Sequence, residues 1–274
     1  MNYELKALQL KAKQSIYTLL SGDNLSKLHG EGYDFSELRE YQIGDDIRKI
    51  NWTISAKLGK PYIKELHANK ELYITIATLM DGSLYFGDGN SKQKTLAQVA
   101  TTLAYATQYQ NDLFQGISFY QEESYITPPT KQLFHIEAFS TQLFEAKLLH
   151  KKLNYQEAID SLFKKIYKPS LLFVISDFLE EVDLSLLAQK HEVIAIIIRD
   201  REEENPYNLG EVTLNSPISQ LKFDTFFGKR AIGQYENRLE QHDKKLKKHL
   251  STYGVEYIKM FTDEEILKKL MQLF

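Results

Sequence analysis

Short apolar runs alternate with amphipathic runs along residues 72–274. The run at 72–80, LYITIATLM, is almost wholly apolar or β-branched and ends at DGS, which is typical of a buried central strand. The following segment, KTLAQVATTLAYATQY, places Leu96, Val99 and Leu103 on one face of a helix. The pattern therefore predicts a strand followed by a helix at the start of this region.

The same alternation continues to the carboxyl terminus. Further strands are predicted at LFQGISFY (113–120), LLFVISDF, EVIAIII and VEYIKMF. Further helices are predicted at YQEAIDSLFKKI, DLSLLAQK, ENRLEQHDKKLKKHL and TDEEILKKLMQL, the last opened by a capping box of Thr262 and Glu265. Strands that alternate with helices predict a doubly wound α/β fold of the Rossmann type, with a mostly parallel sheet.

The amino-terminal part of the chain has a different pattern. Apolar residues at roughly helical spacing predict a helix over 4–20, and glycine-punctuated aromatic pieces between 30 and 64 predict small strands and turns. We therefore expect two regions. Residues 1–66 would form a helix plus a smaller β-containing segment, and residues 67–274 the α/β domain.

Composition excludes several classes of protein. A net charge of −3 lacks the basic footprint of a general nucleic-acid binder, so we expect no nucleic-acid partner. The absence of cysteine excludes disulfides, thiolate metal sites and cysteine nucleophiles, and fits a reducing compartment. Lysines interrupt the apolar positions at the amino terminus, and no run reaches the roughly 20 apolar residues of a membrane span. We expect a cytoplasmic protein without direct membrane insertion.

Two acidic residues follow predicted strands. Asp81, with Ser83 close behind it, follows the 72–80 strand, and Asp177 follows the strand in LLFVISDF. Because ligands of such sheets bind at the carboxyl ends of the strands, these oxygens would suit Mg²⁺ or Mn²⁺. The alternative is structural, since a strand-end aspartate also caps the helix or turn that follows it.

A longer motif lies ahead of the α/β region. The segment GEGYDFSELREYQIGDDIRKINWTISAKLGKPYIKEL, followed by LMDGS and VISDF, resembles the bacterial family called domain of unknown function 58. Asn51 stands where the family more often has Asp. The signature positions that match are Gly32, Phe35, Arg39, Tyr41, Gly44, Asp45, Asp46, Arg48 and Trp52.

The resemblance implies a von Willebrand factor A-like domain. Such domains often bind a divalent ion through D-x-S-x-S, a Thr and a further Asp. Here Asp81, Ser83 and Asp177 match, whereas Tyr85 replaces the last Ser and Leu153 the Thr. We expect Tyr85 to fill part of the ion's space and the residual site to hold Mg²⁺ or Mn²⁺ weakly at most, with no certain cofactor.

The GDDIRKINW stretch has two interpretations. Asp45 and Asp46 would accept backbone N–H groups in a tight turn, pair with Arg48, and rest on an apolar floor of Tyr41 and Trp52. This turn would be a clasp that fastens the segment to the α/β body. The alternative is a charged surface that recognises a partner.

The resemblance also implies a function. Family members are commonly encoded beside MoxR-type AAA+ ATPases, which predicts a non-enzymatic adaptor for such an ATPase and a client protein. The chain lacks G-x-x-x-x-G-K-[ST], G-x-S-x-G and H-E-x-x-H, so nucleotide-binding, serine-hydrolase and zincin mechanisms are not indicated. The alternative is a cryptic metal-dependent, phosphatase-like hydrolase that uses Asp81 and Asp177.

Overall fold

The computed structural model describes residues 3–10, 12, 34–42, 45–47, 50–67, 71–86, 91–120 and 123–273. The chain divides into two compact units. One unit combines Met1–Ile16 with Leu72–Phe274, and the other is Tyr17–Glu71. None of the described helices is both long enough and apolar enough to cross a membrane.

A six-stranded sheet is the centre of the larger unit. The strands are β3 (Tyr73–Met80), β4 (Leu113–Tyr120), β5 (Glu123–Ile126), β6 (Leu171–Ser176), β7 (Glu192–Arg199) and β10 (Glu256–Phe261). Their order in the sheet is β10-β7-β6-β3-β4-β5, and every neighbouring pair is parallel except β4 with β5. The prediction of a doubly wound, mostly parallel α/β fold is therefore confirmed.

Helices flank this sheet, and a separate hairpin follows β7. The helices are α1 (residues 3–10), α3 (Ser91–Tyr109), α4 (Leu133–Glu145), α5 (Tyr155–Lys165), α6 (Ser185–Ala188), α7 (Arg201–Glu204), α8 (Lys229–Thr252) and α9 (Ile266–Leu270). The hairpin pairs β8 (Gly210–Asn215) with β9 (Lys222–Phe227). One face of the sheet packs on a buried apolar cluster that α5, α6 and the end of α8 contribute to.

Among its described residues, the smaller unit contains an antiparallel pair of strands and a short helix. β1 (Asp34–Glu40) pairs with β2 (Tyr62–His67), and α2 (Trp52–Leu58) lies between them in sequence. Asn51 caps α2 by accepting the N–H of Ile54 at 3.2 Å, and Gly59 ends it with a left-handed φ of 72°. The described residues of this unit include short strands, as the sequence predicts, together with a short helix.

Several elements differ from the sequence-based expectation. The pattern did not predict β5, α4, the β8–β9 hairpin or the single turn α7, and DLSLLAQK forms only the short helix α6. The predicted capping box is wrong, because the Thr262 hydroxyl donates to Asp200 at 2.7 Å and α9 begins only at Ile266 without a side-chain cap. Most of the predicted helix over 4–20 lies outside the described residues.

Candidate functional site

Asp81 and Asp177 meet at the point where the strand order of the sheet reverses. Asp81 follows β3 and Asp177 follows β6, and these two strands are parallel neighbours. Ligands of doubly wound sheets bind in the crevice at this point. The fold thus brings together the two carboxyl groups that the sequence indicates, and both side chains are buried, at 1% and 0% exposure.

Ser83 connects the two carboxyl groups. Asp81 Oδ1 accepts the N–H of Ser83 at 2.8 Å, and Ser83 Oγ lies 2.5 Å from both Asp81 Oδ1 and Asp177 Oδ2. A serine hydroxyl carries one hydrogen, so it can donate to only one of these oxygens. Both short contacts are satisfied if a protonated Asp81 donates to Ser83, which in turn donates to Asp177.

Close backbone packing fixes the loop that carries Asp81. The Gly82 N–H donates to the carbonyl of Lys151 at 2.8 Å, and a Cβ at Gly82 would lie 2.0 Å from the carbonyl oxygen of Pro217. Pro217 is itself held, because its carbonyl accepts the N–H of His150 at 2.7 Å. Glycine is therefore required between Asp81 and Ser83, since any side chain would displace the turn between β8 and β9.

A buried lysine supplies the positive charge of the site. Lys92, in the first turn of α3, places Nζ 2.8 Å from Asp177 Oδ2 and 2.8 Å and 3.1 Å from the two carboxylate oxygens of Glu203. The side chains of Lys92 and Asp177 are 0% exposed and that of Glu203 is 6% exposed. Buried charges of this kind persist only when they are paired and hydrogen-bonded.

The pKa shifts follow from this pairing. Burial alone would lower the pKa of Lys92, but the charges and hydrogen bonds of Asp177 and Glu203 together outweigh it, so this pKa is raised. Burial alone would raise the pKa of Asp177, but Lys92, the Ser83 hydrogen bond and the charge of Arg199 together outweigh it, so this pKa is lowered. Burial, together with the charge of Asp177, raises the pKa of Asp81 to about 6. Burial also raises the pKa of Glu203, although Lys92 opposes it. The shifts thus favour the charged forms of Lys92 and Asp177 and the protonated form of Asp81.

The segment after Asp177 is anchored to α8. Phe178 adopts a positive φ of 49°, which is rare for a bulky residue, and its carbonyl lies 2.7 Å from His242 Nε2. Seven residues further along the same helix, His249 Nε2 accepts the N–H of Leu184 at 3.0 Å. These two contacts hold the exposed residues Glu180 and Glu181 in a short, restrained loop beside the site.

The residues present do not fit a divalent ion. Asp177 Oδ2 already accepts from Ser83 and Lys92, and its Oδ1 accepts the N–H of Leu179 at 3.3 Å. Mg²⁺ requires near-octahedral oxygen ligands and several waters, and the ammonium would repel it. Within the part of the chain that the structure describes, no group of three or more His, Cys, Asp or Glu side chains could hold a metal.

Two residues stand where a divalent-ion site of this kind would have a serine and a threonine. Tyr85 has a side chain that is 43% exposed, and its expected place in the ion's space stays a prediction. Leu153, predicted in place of a ligating Thr, is 3% exposed and packs in the apolar cluster. It contributes packing and no ligand.

The sequence contained one signal for Lys92 and none for Glu203. Lys92 precedes Leu96, Val99 and Leu103 at intervals that place all four on the same helical face, so a lysine there is directed into the core. Glu203 belongs to the run REEE, whose members have no distinguishing pattern. Arg199, a third missed residue, is fully buried and donates to Asp243 at 2.9 Å.

The signature segment lies in the smaller unit. Asp45 accepts the N–H of Gln42 at 2.8 Å and donates its own N–H to the Gln42 carbonyl at 3.0 Å. Trp52 is 66% exposed as the first residue of α2, which is too exposed for the predicted apolar floor. Tyr41 donates its N–H to the Pro61 carbonyl at 2.8 Å.

The remaining signature residues are described only in part. Arg39 pairs through its backbone with Ile63 across β1 and β2. Asp46, the next residue after Asp45, is exposed. Gly32, Gly44 and Arg48 lie outside the described residues, so the predicted pairing of Arg48 with the aspartates stays a prediction.

Two solved structures of bacterial proteins are similar to this chain. The chain is similar to the conserved hypothetical protein BatB from Bacteroides thetaiotaomicron, at 12% identity and a TM-score of 0.45 over 73% of this chain and 96% of that one. An aerotolerance-related membrane protein from Bacteroides fragilis, with multiple mutations to serines, gives the same identity, TM-score and coverage.

Sequence relatives are found in mycobacteria. The uncharacterized proteins Mb1516 of Mycobacterium bovis and Rv1480 of Mycobacterium tuberculosis are each 26% identical over 222 residues, which is 78% of this chain and 70% of theirs. The model of one family, Protein of unknown function DUF58, matches residues 37–245, which include the signature positions from Arg39 to Trp52 and the Asp81–Asp177 site. The chain therefore belongs to the DUF58 family.

Proposed function

We propose that the protein is a non-enzymatic cytoplasmic adaptor that binds a MoxR-type AAA+ ATPase and a client protein, and assists the client's assembly, folding or cofactor maturation. The observation that supports this is the closed state of the acidic site. Asp81 and Asp177 are buried, and Lys92 neutralises Asp177. A carboxylate that acts as a nucleophile or general base must reach its substrate, whereas these two stabilise the loops around them.

The binding surface in this proposal is the cleft beside the buried site. The cleft has a volume of about 1000 Å³, and side chains of both charges line it, including Lys152, Lys165, Glu180 and Glu181. Charged rims of this kind select partners and guide their encounter. Because the buried ion pair and α8 hold the 177–184 segment, the rim is presented in a fixed arrangement without a bound cofactor.

The first experiment is an affinity pull-down from the native host's lysate, with and without a slowly hydrolysed ATP analogue, analysed by mass spectrometry. The proposal expects nucleotide-dependent recovery of a AAA+ ATPase. The recovered ATPase is then purified and its dissociation constant measured against Glu180→Lys, a charge reversal on the exposed rim. We expect affinity to fall at least about tenfold, because rim charges guide association.

A matched control lies at the opposite end of the sheet. Glu256 is exposed at the amino end of β10, so Glu256→Lys makes the same charge change away from the cleft and should leave affinity within about twofold. Equal loss in both variants would show that only net charge matters. If no ATPase is recovered under either condition and none binds directly, the adaptor proposal is wrong.

A phosphatase-like hydrolase is the second candidate. The observation in its favour is Asp81, a buried carboxyl group with a pKa raised to about 6 by burial and an Oδ2 atom without a hydrogen-bond partner among the described residues. Perturbed carboxyl groups concentrate at reactive sites. A panel of phosphoester substrates with Mg²⁺ or Mn²⁺ tests it, and activity that Asp81→Ala abolishes would replace the adaptor proposal.

A further inference from the structure

The β8–β9 hairpin is a separate two-stranded sheet that carries large exposed apolar side chains. Within the described residues, β9 pairs with β8 alone and its outer edge is open. Phe223 is 55% exposed, and the other exposed apolar side chains of the hairpin and its turn are Leu214, Leu221 and Phe226. A sheet of two strands is only marginally stable, and an open edge is the place where a further strand can add.

The backbone groups of alternate β9 residues face this edge. Ser216 and Leu221 continue the register of the hairpin by one pair, and the Ser216 N–H donates to the Leu221 carbonyl at 2.9 Å. Hydrogen-bonded pairs alternate with non-hydrogen-bonded pairs along an antiparallel ladder, so Phe223 turns its N–H and carbonyl toward β8. The N–H and carbonyl groups of Lys222 and Asp224 therefore point toward the open edge.

We propose that the β9 edge pairs antiparallel with the same edge of a second copy of the chain, so that the two hairpins form one four-stranded sheet with a twofold axis at Phe223. Lys222 of each copy then lies opposite Asp224 of the other copy, in a hydrogen-bonded pair that occurs twice. The two Phe223 side chains lie opposite each other on the other face of the sheet. This inference goes beyond the adaptor proposal and does not depend on it.

Charge selects this register among those that the open edge allows. A twofold axis at Lys222 or at Asp224 would place two like charges directly opposite each other, which is destabilising. An axis at Thr225 would place Asp224 opposite Phe226 and make no pair of opposite charges. The axis at Phe223 makes two pairs of opposite charges and one aromatic pair, and each of these stabilises a sheet. The edge is thus complementary in charge to itself.

Contacts within the larger unit hold the hairpin in position for this pairing. The Pro217 carbonyl, in the turn, accepts the N–H of His150 at 2.7 Å. Thr213 Oγ1 donates to Asp224 Oδ1 at 2.6 Å, which fixes the carboxylate on the face that it shares with Lys222. An edge that is already ordered loses little conformational freedom on binding. Because one strand edge is a small interface, we expect a dissociation constant in the micromolar range.

The first test measures the mass of the full chain by sedimentation over a range of concentrations above and below the micromolar range. Lys222→Asp and Asp224→Lys each place like charges opposite each other twice, so each variant should dimerise at least about tenfold more weakly than the wild type. An equal mixture of the two variants restores two pairs of opposite charges, and should dimerise within about threefold of the wild type. Recovery on mixing distinguishes a repelling interface from a misfolded hairpin.

A cysteine at the twofold axis tests the register. The chain has no cysteine of its own. Phe223→Cys places two thiols in a non-hydrogen-bonded pair, where the Cα atoms lie about 4.5 Å apart and a disulfide can form. Thr225→Cys is the matched control on the same face, because its two Cα atoms would lie four residues apart, about 13 Å along the strands. Mild oxidation should link only the Phe223→Cys protein into a dimer on a non-reducing gel.

Glu211→Lys is the control for charge. Glu211 is exposed on the same face of the hairpin as Asp224 but lies in β8, one strand away from the pairing edge, so its reversal should leave the dissociation constant within about threefold. The proposal is overturned if the wild type stays monomeric at every concentration, which would leave the edge to a strand of a different protein. It is also overturned if neither reversed variant weakens the dimer, or if mixing the two fails to restore it.

Discussion

Strands β3, β6 and β7 carry a buried polar cluster at each end, and one cluster is charged whereas the other is neutral. At the carboxyl ends of β3 and β6, Asp177, Lys92 and Glu203 form a network of buried charges. At the amino ends, Thr75 Oγ1 lies 3.3 Å from Ser170 Oγ, and His191 Nδ1 accepts the Ser170 N–H at 3.2 Å. The neutral cluster joins β3, β6 and β7 with hydrogen bonds alone.

The comparison shows that linking these strands requires no ions. Neutral hydrogen bonds contribute about 0.5–1.5 kcal/mol each, whereas a buried ion pair costs so much desolvation that its net contribution is often near zero. Removing one ion of such a pair is nevertheless severe, because the other charge remains buried. Stability therefore depends strongly on each charge at the carboxyl ends of the strands, whereas each hydrogen bond at the amino ends contributes modestly to stability.

The largest expected effect comes from neutralising Lys92. Lys92→Met keeps most of the side-chain volume but leaves Asp177 and Glu203 without their partner cation, so the free energy of unfolding should fall by about 3–5 kcal/mol. Chemical denaturation in the presence of a chelator measures this. Thr75→Val removes one neutral hydroxyl contact at the other end and should cost only about 1 kcal/mol.

A double variant tests whether the unpaired charge causes the destabilisation. Adding Asp177→Asn to Lys92→Met removes one of the charges left behind, so the double variant should be less destabilised than the sum of the single variants. Strict additivity, or a Lys92→Met effect no larger than that of Thr75→Val, would contradict the distinction between the two ends.

The second-largest expected effect is a change of stability with pH, and it comes from His191 at the amino ends of the strands. Burial, with a contribution from Lys190, lowers the pKa of His191 to about 4, below its usual value of 6.5. Protonation would also place a hydrogen on Nδ1, which now accepts from Ser170. The unfolded chain then binds more protons than the folded one, so the His191 contribution is present above about pH 6.5 and is lost as the pH falls toward 4.

His191→Asn tests this contribution, since Asn can accept the same hydrogen bond and does not titrate. Between about pH 7 and pH 4 the wild type should lose about 3 kcal/mol more stability than the variant, because each unit of pKa shift corresponds to about 1.4 kcal/mol. Unfolding free energies at several pH values measure the difference. Parallel curves for the two proteins would show that His191 is protonated as easily in the fold as in the unfolded chain.

Sequence reasoning predicted the scaffold better than the chemistry. Strands such as β3 are recognisable because burial on both faces selects continuous apolar runs, and their order places Asp81 beside Asp177. Thr262 shows the limit, because a local capping pattern lost to a tertiary hydrogen bond with Asp200. Glu203 is similar, since only the packing of α7 distinguishes it from the acidic residues beside it.

The smallest expected effect is that of Asp81, and its change of stability with pH is opposite in sign to that of His191. Burial and the charge of Asp177 raise the pKa of Asp81 to about 6 from 3.8, so the folded protein binds more protons than the unfolded chain between these values. The Asp81 contribution is therefore most favourable at low pH and is lost as the pH rises through about 6.

Asp81→Asn resembles the protonated group and does not titrate, so its free energy of unfolding should gain about 2 kcal/mol relative to that of the wild type between about pH 4 and pH 7. Denaturation curves at these pH values measure the gain, and a wild type that follows the variant throughout would mean that Asp81 is ionised in the fold and that its Oδ2 has a partner cation. The Asp81 group would then contribute no change of stability with pH, and the contrast between the two ends of the sheet would rest on Lys92 alone.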